Sequence, residues 1–209
     1  MKEFLASLVE KIFHPLLMPL YGMALPFLYT DVYFVSISQS FRFFLLIATA
    51  TFILPITTDI FLRMAKERWP HLSQAVLRLI PYIVSALFTL FLIYFFFQIG
   101  VPLWYLGLLL ASMVVILATA ILNFFWKVSQ ILLGIGGILG ATMCVCYFVK
   151  GENPFVLFIF LFLAGGLVGS LQLSSGKYSK IQVYVAFLTG WILSFASVFL
   201  FLYLIYLLN

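Results

Sequence analysis

The stretch that decides the fold is residues 79–126, which read LIPYIVSALFTLFLIYFFFQIGVPLWYLGLLLASMVVILATAILNFFW. These 48 residues contain no charged side chain, and a Gly-Val-Pro turn at 100–102 divides them into two apolar runs. A membrane-spanning helix needs roughly 20 apolar residues, so each run predicts one span. Because the runs are continuously apolar, they favour helices over the alternating strands of a membrane barrel.

The rest of the 209-residue chain has the same character. Hydrophobic residues make up 66% of it and charged residues 8%, whereas a soluble domain carries about 25% charged residues. The mean hydropathy is +1.24. These values exclude a soluble globular protein, a disordered chain and a nucleic-acid-binding domain. The sequence therefore predicts an all-α, polytopic membrane helix bundle that forms a single domain over residues 1–209.

Hydropathy divides this domain into seven spans, or six if the proline-rich first segment inserts only halfway. Residues 1–13 carry four charged side chains on an apolar background, which predicts an interfacial amphipathic helix. The expected spans cover about 15–36, 43–64, 76–98, 103–125, 130–149, 155–173 and 182–208.

Basic residues are distributed unevenly between the two sides of such a bundle. Seven spans place nine of them on the N-terminal side and two, Arg42 and Lys150, on the other. The positive-inside rule then predicts a protein of the cell membrane with a cytoplasmic N-terminus. A basic ligand site on that side would raise the same count. The nine are Lys2, Lys11, Arg63, Lys66, Arg68, Arg78, Lys127, Lys177 and Lys180.

A glycine-rich pattern, GGxxG, occurs once in span five and once in span six. Small residues let two helix backbones approach closely where lipid supplies no hydrophobic driving force. The repeat predicts that spans five and six touch near Gly137 and Gly166; the alternative is a glycine-lined ligand cleft. The candidate packing residues are Gly136, Gly137, Gly140, Gly165, Gly166 and Gly169.

Three polar clusters, at residues 63–71, 126–130 and 174–180, lie on the predicted cytoplasmic side. Cations and the free N–H groups of a helix start attract phosphate, so the clusters predict a phosphate-binding set. Alternatively, Ser129 is simply a helix N-cap and the cations are ordinary interfacial residues. The expected partners are membrane lipids, including an anionic or phosphorylated lipid, with no nucleic acid and no cofactor. The set is Arg68, Lys127, Ser129 and Lys177.

Asp59 and Arg63 are the polar intramembrane candidates. A carboxylate within a span usually faces a partner or a cavity, and an arginine four residues on is well placed to pair with it. The pair is either structural or lines a polar path, which would favour a small transporter-like protein or a subunit of a membrane complex. His14, His71 and Glu67 could meet in an acid–base or metal-binding group, but interfacial histidines more often have structural roles, and we predict no metal site.

The order of the polar clusters resembles the type 2 phosphatidic acid phosphatase (PAP2) superfamily over about residues 55–195. The stretch 126–130, followed by the glycine-rich 131–140, resembles a Lys-x-Ser-x-His form of the second family motif. Residues 171–173, with 182–184 and Gly190, resemble the frame of the third motif, and 63–70 occupy the place of the first. The resemblance implies a multi-helix membrane fold with the motifs gathered at one membrane face.

Lys127 and Ser129 match the second motif in type, but neither catalytic histidine that the resemblance implies has a counterpart in this chain. The resemblance implies a histidine nucleophile in the third motif and a histidine acid in the second. Gln130 stands at the second position, Ser170 stands near the place of the third-motif arginine, and no histidine follows His71. The sequence therefore predicts a PAP2-like protein that has lost phosphatase catalysis and binds a phosphorylated lipid. An active enzyme with unusual residues remains the alternative.

Overall fold

The computed structural model describes residue 13, residues 17–29 and 45–49, the separate positions 53, 57, 58, 60 and 64, and residues 74–208. Every regular element in this part of the chain is a helix. The helices are α1 (Met18–Tyr29), α2 (Gln74–Gln98), α3 (Leu103–Phe125), α4 (Gln130–Cys144), α5 (Phe155–Ser174) and α6 (Lys180–Leu208), with a π-helical turn, Val145–Lys150, continuing α4.

Five of these helices, α2 to α6, are long and apolar enough to cross a membrane, the last turn of the α4 span being the π-helical one. They begin and end within two residues of expected spans three to seven. The expected total of seven spans is not confirmed, because the first span is described only over 17–29. The second span, 43–64, and the interfacial helix, 1–13, lie largely outside the described residues.

Short turns join the five long helices, so consecutive helices run in opposite directions. The turns at 99–102 and 151–154 lie at one end of the bundle. There the Lys150 Nζ lies 5.4 Å from the centroid of the Trp104 ring, which ties the end of α4 to the start of α3. The turns at 126–129 and 175–179 lie at the opposite end, where α2, α4 and α6 begin.

The core of the bundle is built around α4, in which every residue from 131 to 142 is buried. Glycines on several of its faces allow this central position. A Cβ added at Gly134 would meet Met18 of α1, and one added at Gly137 would meet Val115 of α3. Gln130, at its first position, reaches α2 through a side-chain hydrogen bond.

Spans five and six (α4 and α5) do contact each other as expected, since a Cβ added at Gly165 would lie 3.7 Å from Ile135, but the closer backbone approach is between α4 and α6. A Cβ added at Gly136 or Gly140 would clash with a backbone carbonyl of α6, and one added at Gly190 would clash with the carbonyl of Leu133. The two helices therefore meet backbone to backbone. The GGxxG of span five is used as predicted for close packing, but its partner is the single Gly190 of α6.

The second GGxxG segment, in α5, is divided between two faces of its helix. Cβ atoms added at Gly165 and Gly169 would meet Phe187 and Val183 of α6. Gly166 is exposed, and an added Cβ there would meet nothing within 4 Å. The expected contact between Gly137 and Gly166 is thus absent, because successive residues of a helix point about 100° apart.

Candidate functional site at one end of the bundle

Three exposed lysines, Lys127, Lys177 and Lys180, lie at the end of the bundle where α4 and α6 begin. We call this end, formed by residues 126–130 and 174–180, the loop face. The Lys127 Nζ lies 5.1 Å from the centroid of the Tyr178 ring, within the range of a cation–π interaction. The second and third polar clusters of the sequence therefore meet in space.

Ser129 has a structural role within the loop face. Its Oγ accepts a hydrogen bond from the Leu132 N–H at 3.3 Å, which makes it the N-cap of α4. The preceding turn is held by Asn123, whose Oδ1 accepts from the Val128 N–H at 3.3 Å. Because Ser129 is 0% exposed, its hydroxyl stabilises the helix start and does not line the surface that a ligand would touch.

A second serine opens α6. The Ser179 N–H donates to Gln182 Oε1 at 2.8 Å, and the Gln182 N–H donates to Ser179 Oγ at 3.4 Å. This reciprocal pair is a capping box. The loop before it turns at Gly176, whose φ of 67° lies in the left-handed region that favours glycine. Gly176 and Ser179 thus set the course of the segment that carries Lys177 and Tyr178.

Gln130 forms a hydrogen bond to a tyrosine that the sequence analysis missed. Its Nε2 donates to the Tyr82 hydroxyl oxygen at 2.7 Å, which links α4 to α2. The sequence offers one signal for this contact, which is that Tyr82 lies about two turns into span three, near the end of the bundle where Gln130 begins span five.

Gln172 is a second polar residue of this region without an assigned role. It is 5% exposed, and its Oε1 is buried with no hydrogen-bond partner. It lies three and four residues after Gly169 and Val168, so it continues the buried face of α5 towards the loop face. The sequence analysis used Gln172 only as part of a motif frame.

Within the described residues, the charged side chains of the loop face are all lysines. Of residues 74–208, only Glu152 is acidic, and it belongs to the turn at the opposite end. Helices α2, α4 and α6 begin at this end of the bundle while α3 and α5 end there, so most of the helix dipoles offset one another. Within the described residues, the side-chain charges at the loop face are therefore cationic, and cations attract anions.

Several predicted site residues lie outside the described residues. Among the residues that the structure does describe, no group of three or more His, Cys, Asp or Glu could hold a metal ion. The structure thus brings together Lys127 and the loop of Lys177, and it does not address the other candidates. Those are Arg68, Asp59, Arg63, His14, His71 and Glu67.

Comparison of the chain with protein-family models, with curated proteins and with solved structures found no match.

Proposed function

We propose that this chain is a multi-pass protein of the cell membrane that binds the phosphate of an anionic lipid at its loop face. The observation that carries the proposal is the approach of Lys127 to Tyr178, at 5.1 Å from the ring centroid. It joins Lys127 to the loop that carries Lys177 and Lys180, on an exposed surface where the described residues include no acidic side chain. In the proposed orientation, this surface lies at the cytoplasmic headgroup level.

The chemistry of the loop face suits a headgroup at a membrane boundary. A lysine is a compact point charge that attracts phosphate without demanding one geometry. Each lysine near an anionic bilayer surface contributes about 1 kcal/mol to binding. Tyr178 adds an aromatic ring with a polar tip, which favours the interface.

We further propose that the protein is PAP2-like and has lost phosphatase catalysis. Phosphoryl transfer through a covalent intermediate needs a nucleophile and a proton donor for the leaving alcohol. At the loop face, Ser129 is buried as an N-cap and Gln130 is hydrogen-bonded to Tyr82. Residues 72–209 contain no histidine. What remains is charge that can hold a phosphate without breaking its ester bond.

The alternative, a transporter-like protein or a subunit of a membrane complex, rests on Asp59 and Arg63. Among the described residues, the buried threonines offer this alternative little support. The hydroxyls of Thr89, Thr119 and Thr142 each donate to the carbonyl four residues earlier in their own helix. Their hydroxyl groups are therefore hydrogen-bonded within their own helices, and they do not need a transported solute or a chain of water molecules as a partner.

The proposal is tested by lipid binding to the purified protein. We expect Lys127→Gln to weaken binding of phosphatidic acid about fivefold, since about 1 kcal/mol of surface charge attraction is lost. Lys177→Gln should act in the same direction. Affinity should also fall as the salt concentration rises, because exposed charges are screened.

Lys150→Gln is the matched control, because it removes the same charge from the opposite end of the bundle. The affinity of Lys150→Gln for phosphatidic acid should stay within twofold of the affinity of the unaltered protein. Equal losses in all three variants would mean that net charge alone drives binding, and the loop face would no longer be the site.

A further inference from the structure

We propose that an acyl chain of the anionic lipid bound at the loop face lies along α3, on an exposed apolar stripe that begins beside Lys127. This inference rests on the proposed function, and it commits to a membrane-embedded lipid rather than a water-soluble phosphate ester as the ligand. The surface, which we call the α3 stripe, is formed by Leu117, Ile121, Phe124 and Phe125.

Exposure on α3 is confined to the α3 stripe. Every other residue of Leu103–Phe125 is buried or half-buried, whereas Phe125 is 79% exposed and Ile121 is 59% exposed. The spacing of the four residues places them on one face of the helix, and all four belong to the half of α3 that is nearer the loop face. The surrounding chain therefore covers α3 towards the opposite end of the bundle and leaves it open next to Lys127.

The α3 stripe is continuous with the cation that binds the phosphate in the proposed function. Lys127 follows Phe125 by two residues, so their Cα atoms are at most about 7.6 Å apart. Trp126 and Lys127 are both exposed, and no acidic residue among those described lies at this end of the bundle. A lipid whose phosphate contacts Lys127 therefore has its glycerol and acyl chains beside the last turn of α3.

The length of the α3 stripe suits one leaflet of a bilayer. Leu117 and Phe125 are eight residues apart, which is about 12 Å along the helix axis, and one leaflet contributes about 15 Å to the hydrocarbon thickness. Because α3 is long and apolar enough to cross the membrane and ends at the loop face, the stripe runs from the headgroup level into the hydrocarbon. An acyl chain that leaves a headgroup at Lys127 can thus stay in contact with the stripe through most of the leaflet.

The headgroup, and not the apolar character of the α3 stripe, selects the lipid. Lipid chains are as apolar as leucine side chains, so exposed apolar residues alone do not favour one lipid over another. On α5, for example, the exposed Leu163 and Leu167 lead to the exposed Ser170 and Ser174 instead of a lysine. An anionic phosphate is attracted to Lys127, whereas a zwitterionic headgroup has no net charge to gain from it. Phosphatidic acid should therefore contact the α3 stripe more often than phosphatidylcholine does.

Photo-crosslinking can locate the chain. Phosphatidic acid and phosphatidylcholine that carry a diazirine at the same position of the same acyl chain are added in trace amounts to the complete protein in phosphatidylcholine nanodiscs. Peptide mass spectrometry then maps the crosslinks. We expect the phosphatidic acid probe to label residues 117–125 about fivefold more than the phosphatidylcholine probe, the factor that one lysine near the surface contributes. Lys127→Gln should lower this ratio to below about twofold.

Residues 163–167 of α5 are the internal control, and the two probes should label them equally. Lys150→Gln is the matched variant, because it removes a lysine from the opposite end of the bundle, and it should keep the full ratio. The comparison of the two probes on the unaltered protein decides the question even if Lys127→Gln fails to fold. Equal labelling of residues 117–125 would overturn the inference, as would a preference confined to residues 181–188 of α6, which follow Lys180.

These outcomes are distinct from a failure of the proposed function. If Lys127→Gln weakens the binding of phosphatidic acid but the two probes label residues 117–125 equally, the loop face is a lipid site and the chain lies elsewhere. If Lys127→Gln changes neither the affinity for phosphatidic acid nor the labelling, both proposals fail.

Discussion

At the scale of single residues, the hydrogen bond between Gln130 and Tyr82 contributes most directly to the structure of the loop face, because it fixes the start of α4 against α2. The two side chains come from different helices and meet at 2.7 Å. Gln130 occupies the position at which the family resemblance implies a proton-donating histidine. The hydrogen bond gives Gln130 a structural role, because it links the start of α4 to α2.

A double-mutant cycle on this pair measures the strength of the bond. We expect Tyr82→Phe and Gln130→Leu each to lower the free energy of unfolding, with a coupling energy of about 0.6 kcal/mol and at most about 1.7 kcal/mol. Tyr94→Phe is the control, because Tyr94 is exposed on the same helix. Strictly additive effects of Tyr82→Phe and Gln130→Leu in a denaturant titration would show that the bond contributes nothing.

At the scale of helices, the approach of α4 and α6 depends on glycines that leave no room for a side chain. We expect Gly190→Ala to lower the free energy of unfolding by about 1–3 kcal/mol or more, since the new methyl group meets the carbonyl of Leu133. Backbone atoms cannot rotate away as a side chain can, so the two helices must separate. Reversible unfolding in mixed micelles measures the effect.

Gly166→Ala is the matched control for this seam. Its new methyl group meets no other atom within 4 Å, and alanine favours a helix over glycine by about 0.8–1 kcal/mol. We therefore expect Gly166→Ala to be neutral or stabilising. A similar loss of stability in both variants would contradict a close seam that is specific to α4 and α6.

The two glycine segments also mark the limit of what the sequence predicts at this scale. The bounds of α2 to α6 follow from hydropathy, because transfer into lipid is a property of each segment by itself. Which helix faces which depends on surfaces from distant segments. The GGxxG patterns around Gly137 and Gly166 look alike, yet the close partner of α4 is the isolated Gly190, which belongs to no repeat.

The candidate site shows the same difference between local features, which the sequence predicts, and contacts between distant segments, which it does not. The N-cap Ser129 and the lysines of the loop face can be predicted from local sequence alone, because they depend only on the residues of each turn. The pairing of Gln130 with Tyr82 joins residues 48 positions apart, and the unpartnered oxygen of Gln172 emerges only when α5 packs against its neighbours. Both features result from the packing of distant segments, so no local sequence pattern predicts them.

At the scale of the whole molecule, the orientation in the membrane is open to a direct test. The distribution of basic residues predicts that the loop face is cytoplasmic. In a chain whose buried cysteines are replaced by alanine, Ser175→Cys reports on the loop face and Glu152→Cys on the opposite end. We expect an impermeant thiol reagent applied to intact cells to label only Glu152→Cys. Labelling of Ser175→Cys from outside would reverse the orientation.

Catalysis is a second property of the whole molecule that is open to a direct test. We expect no phosphate release from phosphatidic acid or prenyl diphosphates above a no-protein blank, since no histidine lies in residues 72–209 to serve as nucleophile. Gln130→His should also be inactive, because it restores at most the acid of the resemblance and not the nucleophile. The chain would then still bind an anionic lipid through Lys127. Vanadate-sensitive phosphate release by the unaltered protein would overturn this prediction and indicate an active enzyme with a different nucleophile.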